Sequence, residues 1–145
     1  MEVQQYVNQQ KDNPIFQALA VGVIGLVAMG IANMGSSSET GWENVWIVLI
    51  TFMLFFSIMN TVISLASDNQ VQYFWKSITC FFALMAFMIL MAYVISSVSF
   101  YEAGFFRWMI VVVVFGYLVF FSIVMAMQRI IKYAQRQDKK FRNEE

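Results

Sequence analysis

Four polar side chains recur at helical spacing within an otherwise apolar stretch of this chain. They are Ser57, Asn60, Thr61 and Ser64. Members three or four residues apart share one face of a helix. Such a polar stripe can form hydrogen bonds between helices, or it can line a narrow aqueous vestibule that admits a polar ligand. The residues alone are compatible with both interpretations.

Residue types that commonly carry catalysis are scarce. Histidine is absent, so the commonest metal ligand and proton shuttle is missing. Cys80 is the only cysteine, which excludes an internal disulfide, and we expect it to be a small packing residue. We find no phosphate-binding loop, no catalytic triad and no metal-ligand spacing. The sequence therefore predicts a protein that is not an enzyme and that has no cofactor and no metal site.

The elements that must hold the polar stripe are stretches without any Asp, Glu, Lys or Arg. Each is at least as long as the ~20 apolar residues that a helix needs to cross a bilayer. The stretches are residues 13–38, 44–67, 77–101 and 108–128. We predict an all-α integral membrane protein that forms a single four-helix transmembrane domain over residues 1–145. Its expected spans are about 14–35, 43–67, 74–100 and 106–128.

The charged residues between the spans predict the orientation. Eight of the nine Lys and Arg residues, all except Arg107, fall before span one, between spans two and three, or after span four. Those segments share one side of the membrane, and the positive-inside rule assigns that side to the cytoplasm. We therefore expect both termini in the cytoplasm (N-in/C-in) of a bacterial inner (plasma) membrane. Aromatic rings that favour the membrane boundary lie near the expected span ends. They are Trp42, Trp46, Trp75 and Trp108.

Span one begins with Pro14, and Asn13 before it is a candidate N-cap. Small residues then recur along one face of the helix. They are Ala18, Gly22, Gly25 and Ala32. Small side chains let another helix approach closely. This face is expected to serve either packing within the bundle or the docking of a partner.

The chain after span four is predicted to stay helical, because no Gly or Pro occurs from Tyr117 to Glu145. We expect one continuous helix to about residue 138, which forms a cytoplasmic extension of helix four. Three of its bases, Arg129, Lys132 and Arg136, are expected to bind lipid headgroups. The segment has few aromatic residues, so anionic lipid is a better partner than nucleic acid. Its apolar strip should meet a partner or the membrane surface, and consists of Met127, Ile130, Ile131 and Ala134.

Three functions fit these features. The favoured one is a small, non-catalytic polytopic membrane protein that acts as a self-associating or accessory subunit of a larger membrane complex. One alternative is an oligomeric channel or facilitator whose pore is lined by the polar stripe. A second alternative is an inhibitor or immunity-type protein that acts on a membrane partner. The expected partners are the lipid bilayer and either further copies of the chain, in a homo-oligomer, or other membrane-protein subunits.

Overall fold

The computed structural model describes residues 13–35, 39–65 and 70–143, and these residues form four helices. The helices are α1 (Pro14–Met34), α2 (Gly41–Leu65), α3 (Gln70–Ser96) and α4 (Phe105–Arg142). Each is long and apolar enough to span a membrane. For the described residues, the prediction of an all-helical chain is therefore confirmed, with four helices whose length and apolar composition suit a membrane span. The expected end of span two near residue 67 lies outside the described residues.

The third helix differs from its predicted span at both ends, since it runs from Gln70 to Ser96 rather than from about 74 to 100. It stops because Ser97 adopts a left-handed backbone conformation, with φ of 57°. The Ser96 hydroxyl donates to the Ala92 carbonyl at 2.6 Å and accepts from the Val98 N–H at 3.3 Å. Local hydrogen bonding ends this helix, and a count of uncharged residues does not detect it.

Asn13 occupies the predicted N-cap position of α1, but it caps the helix through its backbone. The Asn13 side chain makes no cap hydrogen bond. Its backbone carbonyl accepts instead from the N–H groups of Phe16 at 3.1 Å and Gln17 at 3.4 Å. Pro14 does occupy the first helical turn, where its missing N–H leaves one donor fewer to satisfy.

The central helix of the bundle is α2. It packs against each of the other three helices, whereas α1 packs against α2 and α3, and α4 packs its backbone mainly against α2. In the most apolar 18-residue stretch of each helix, 44% of the residues are buried in α2 and 22% in each of the other three helices. The helices therefore form a triangle of α1, α2 and α3, with α4 attached along α2.

Aromatic side chains connect α4 to α3. The Tyr117 ring stacks on Phe81, with centroids 4.1 Å apart, and the Phe121 ring lies 5.1 Å from Phe74. Phe81 in turn stacks on Phe56 of α2 at 6.3 Å. Aromatic pairs of this kind contribute about 0.5–1.5 kcal/mol each beyond the area they bury. They hold α4 in place although its backbone follows α2.

One of the four tryptophans departs from the expected boundary position. Trp75 and Trp108 are exposed at the bundle surface, and Trp42 is partly buried. Trp46 is 0% exposed, with its ring 6.4 Å from that of Phe100. The Trp46 Nε1 has no hydrogen-bond partner among the described residues. This side chain is a core residue rather than an anchor in the lipid headgroups.

A compact turn connects α3 to α4. Glu102 Oε2 accepts hydrogen bonds from the Ser99 N–H at 3.0 Å and from the Ser99 hydroxyl at 2.9 Å. These bonds lower the pKa of the Glu102 carboxyl, because they stabilise its charged form. The Ala103 N–H donates to the Ser99 carbonyl at 3.0 Å. Gly104 then takes a positive φ of 53°, which glycine adopts without strain, and α4 begins.

The fourth helix continues without interruption to Arg142, beyond the expected end near residue 138. Gln128 lies level with the last turn of α2, because its Nε2 donates to the Ser64 carbonyl at 2.9 Å. Every residue from 129 to 143 is exposed. At about 1.5 Å per residue, α4 projects ~20 Å beyond the end of α2. Bases in its last turn oppose the partial negative charge of the helix C-terminus.

Candidate functional site

Asn60 lies at the centre of a hydrogen-bonded cluster that joins α2, α3 and α4. Its Nδ2 donates to the Tyr117 hydroxyl at 3.0 Å. Its Oδ1 accepts from the hydroxyls of Tyr73 at 2.8 Å and Ser77 at 3.2 Å. The Asn60 side chain is 0% exposed. Both the nitrogen and the oxygen of its amide are paired within the chain, which avoids the large cost of burying them unpaired.

The other members of the polar stripe are buried as well, and the hydroxyls of Thr61 and Ser64 bond to the backbone of α2. The Thr61 hydroxyl donates to the Ser57 carbonyl at 2.7 Å, and the Ser64 hydroxyl donates to the Thr61 carbonyl at 2.7 Å. All four stripe residues belong to the buried face of α2. Their burial and pairing favour the interhelical interpretation of the stripe over an aqueous vestibule.

The partners of the stripe were not among the residues that the sequence singled out. Tyr73 and Ser77 lie on α3, while Tyr117 and Gln128 lie on α4. A signal for two of them exists, since the hydroxyl of Tyr117 and the amide of Gln128 need partners inside a membrane. The sequence does not show that Asn60 and its neighbours supply those partners, because that depends on which helices are adjacent.

The small-residue face of α1 packs within the chain. A Cβ atom added at Gly22 would lie 3.2 Å from Leu84 Cδ1, and one added at Gly25 would lie 2.6 Å from Met88 Cε. Both glycines are buried, and Ala18 and Ala32 at the two ends of the face are partly buried. The close approach at Gly22 and Gly25 is therefore to α3, while Ala18 and Gly22 also line an apolar groove of about 310 Å³ between α1 and α3.

An apolar groove of about 520 Å³ lies between α2 and α4. Side chains such as Leu54 and Ile58 form its α2 wall, and Val112 and Phe120 form much of its α4 wall. Gly116 also lines the groove, and a Cβ atom added there would meet nothing within 4 Å. No charged side chain lines this groove. It therefore suits an apolar occupant, such as a lipid chain or the side chains of another membrane helix.

A row of exposed apolar residues continues from this groove along α4 to beyond the end of the bundle. Its members are Val112, Gly116, Phe120, Ile123, Met127, Ile130, Ala134 and Phe141, which we call the α4 seam. They recur at intervals of three, four or seven residues, so they share one face of the helix. Ile130 and Phe141, on the projecting part, are 69% and 70% exposed. Three of the four residues predicted as the apolar strip of the tail, all except Ile131, belong to this longer surface.

The bases of the projecting segment lie on the side opposite the α4 seam. Arg129, Lys132 and Arg136, together with Lys139, also recur at intervals of three or four residues, but they are out of phase with Ile130. All of them are exposed. The projecting helix is therefore amphipathic, with one apolar face and one basic face.

The described residues contain no group of three or more His, Cys, Asp or Glu side chains that could hold a metal ion. The chain matches no protein-family model, and neither a curated protein nor a solved structure is similar to it.

Proposed function

We propose that this chain is a non-catalytic membrane protein that acts as a subunit of a larger membrane complex. The observation that carries this proposal is the α4 seam, an apolar surface that begins in the groove beside α2 and continues past the end of the bundle. Burying a large apolar side chain is worth about 1.5–3 kcal/mol relative to leaving it in water. Phe141 lies about 20 Å along the helix beyond Gln128, which is level with the last turn of α2, and a partner protein that covers its exposed ring gains this energy.

The interior of the bundle supports the non-catalytic part of the proposal. Asn60 and its partners on α3 and α4 satisfy one another. Their hydrogen bonds hold three helices together, and both polar atoms of the Asn60 amide have partners within the chain. Interhelical hydrogen bonds of this kind contribute about 0.6–2 kcal/mol each in membrane proteins. This is the role of a structural cluster.

The orientation follows from the distribution of Lys and Arg. With both termini in the cytoplasm of a bacterial inner membrane, the projecting end of α4 lies in the cytoplasm. Arg129, Lys132 and Arg136 are then next to the inner leaflet and fully exposed. Each base near an anionic membrane surface contributes about 1 kcal/mol of attraction. These contacts hold the start of the projecting segment at the membrane surface, while the α4 seam remains available to a protein partner.

Purification from native membranes in a mild detergent, followed by native mass spectrometry, tests the proposal. We expect a protein mass well above the 16.8 kDa of one chain. The additional mass identifies either further copies or a different subunit. A mass of one chain in every detergent and at every concentration would contradict the proposed function. Reconstitution in liposomes provides the second measurement, and we expect no flux of ions or small polar solutes, whereas a flux would favour the channel alternative.

A further inference from the structure

We propose that the partner on the α4 seam is a second copy of this chain, with the two α4 helices parallel and side by side. This inference rests on the proposed function and names the partner.

The length and depth of the α4 seam restrict what can cover it. From Val112 to Phe141 the seam extends ~45 Å along the helix axis at ~1.5 Å per residue. The hydrocarbon core of a bilayer is only ~30 Å thick. A protein that covers the whole seam must therefore cross the membrane and continue as a helix beyond it on the same side. The α4 helix of a second copy, inserted in the same orientation, has this form.

A second copy also presents its own seam at the matching depth. Two chains with the same orientation in one membrane are related by a two-fold axis along the membrane normal, so equivalent residues face each other. From Phe120 to Ala134 the apolar positions follow the alternating three- and four-residue intervals of a coiled coil, and Gln137 and Phe141 continue the same spacing. At the other end of the seam, the open space beside Gly116 lets the two helices approach closely within the membrane.

Gln137 occupies the one polar position in the coiled-coil pattern of the projecting segment. In a parallel pair that is in register, it faces Gln137 of the second copy, and the two amides can bond to each other. A pair shifted by one heptad would place it against Ile130 of the other helix and leave it only the hydrogen bond to the Tyr133 hydroxyl of its own helix, at 3.4 Å. Single polar residues in such seams specify register and the number of strands. Gln137 therefore favours the parallel, in-register arrangement.

The charges of the projecting segment agree with this arrangement. Arg129, Lys132 and Arg136 lie opposite the seam, so they point away from the other helix. With helix axes 8–10 Å apart, these bases are separated from those of the second copy by roughly twice the Debye length of ~8–10 Å. Asp138 and Tyr133 lie on opposite flanks of the seam. Across a parallel pair these flanks meet, so the Tyr133 hydroxyl of one copy can donate to the Asp138 carboxylate of the other.

Cysteine cross-linking in native membranes tests the geometry directly. In a Cys80→Ala background, Ile130→Cys and Ala134→Cys place thiols on the seam, and Lys132→Cys is the matched control on the basic face at the same depth. Mild oxidation should convert most of the two seam variants to a species of twice the chain mass. The control should yield at least tenfold less of it. Equal yields from both faces, or no product from the seam variants, would overturn the parallel pair.

A second measurement separates this inference from the proposed function. Ile130→Glu should weaken dimer formation at least tenfold in detergent, while Lys132→Gln leaves it unchanged. Both side chains are exposed beyond the bundle, so the helical content and unfolding midpoint should stay at their wild-type values. A complex that contains one copy of this chain and a different protein would retain the proposed function and refute the second copy. An isolated single chain in the wild type would refute both.

Discussion

Replacing Asn60 by leucine should destabilise the bundle by about 2–4 kcal/mol. Leucine has the same number of side-chain heavy atoms and the same branching at Cγ, so the main loss is three hydrogen bonds, to the hydroxyls of Tyr117, Tyr73 and Ser77. At about 0.6–1.7 kcal/mol for each bond in a membrane bundle, the sum is about 2–5 kcal/mol. The apolar contacts of the new side chain offset a small part of that loss.

Removing single partners separates the individual bonds. Tyr117→Phe deletes one hydrogen bond and keeps the ring stacked on Phe81 at 4.1 Å, so we expect a loss of about 1 kcal/mol. Tyr73→Phe should have a similar effect. In the Asn60→Leu background, Tyr117→Phe should cost close to nothing, because the Tyr117 hydroxyl has already lost Asn60 as its partner.

Equilibrium unfolding by sodium dodecyl sulfate in mixed micelles, followed by circular dichroism, measures these differences. Ser122→Ala is the control, since that hydroxyl is exposed and bonds only to the Leu118 carbonyl of its own helix at 2.7 Å. It should change stability by less than about 0.5 kcal/mol. If Tyr117→Phe were as costly in the Asn60→Leu background as in the wild type, the Tyr117 hydroxyl would not depend on Asn60, and the reasoning would fail.

Three further predictions use the same unfolding assay. Gly25→Val should destabilise the bundle by about 1–3 kcal/mol, because its Cβ would lie 2.6 Å from Met88 Cε. Gly30→Ala should stabilise the bundle by about 0.5–1 kcal/mol, because a Cβ atom there meets nothing within 4 Å. The opposite order would disprove the contact at Gly25. Ser97→Gly should stabilise by up to about 1 kcal/mol by relieving the left-handed backbone, and a loss would contradict that strain. The lowered pKa of Glu102 contributes stability that is present above its ordinary pKa of 4.5 and is lost as the pH falls through the folded-state pKa. In Glu102→Gln, the unfolding midpoint should therefore depend less on pH over this range than in the wild type.

The membrane-spanning helices could be predicted because their signal lies along the chain. An absence of charge over the length of a bilayer does not depend on which helices are neighbours. The unbroken course of α4 beyond Gly116 was predictable for a similar reason, since no Gly or Pro occurs there. The end of α3 was not, because Ser97 stops the helix through its backbone conformation.

The candidate site depended on the arrangement of helices, and there the sequence was informative only in part. The spacing from Ser57 to Ser64 correctly placed four polar residues on one face of α2. Their partners belong to other helices, so the choice between a packed cluster and a vestibule needed the structure. Gly25 was likewise identified as a point of close approach, but Met88 as its neighbour follows only from the packing of α1 on α3.

The cluster around Asn60 gives the chain a built-in order of assembly. Ribosomes release α2 before α3 and α3 before α4, so Tyr73 and Ser77 reach the bilayer earlier than Tyr117. The hairpin of α2 and α3 can therefore occupy the Asn60 oxygen at once, while the Asn60 nitrogen keeps an unpaired donor until the last helix arrives. An unpaired amide donor in lipid is costly. A truncated chain that lacks α4 thus retains an unpaired amide donor within the hairpin of α2 and α3.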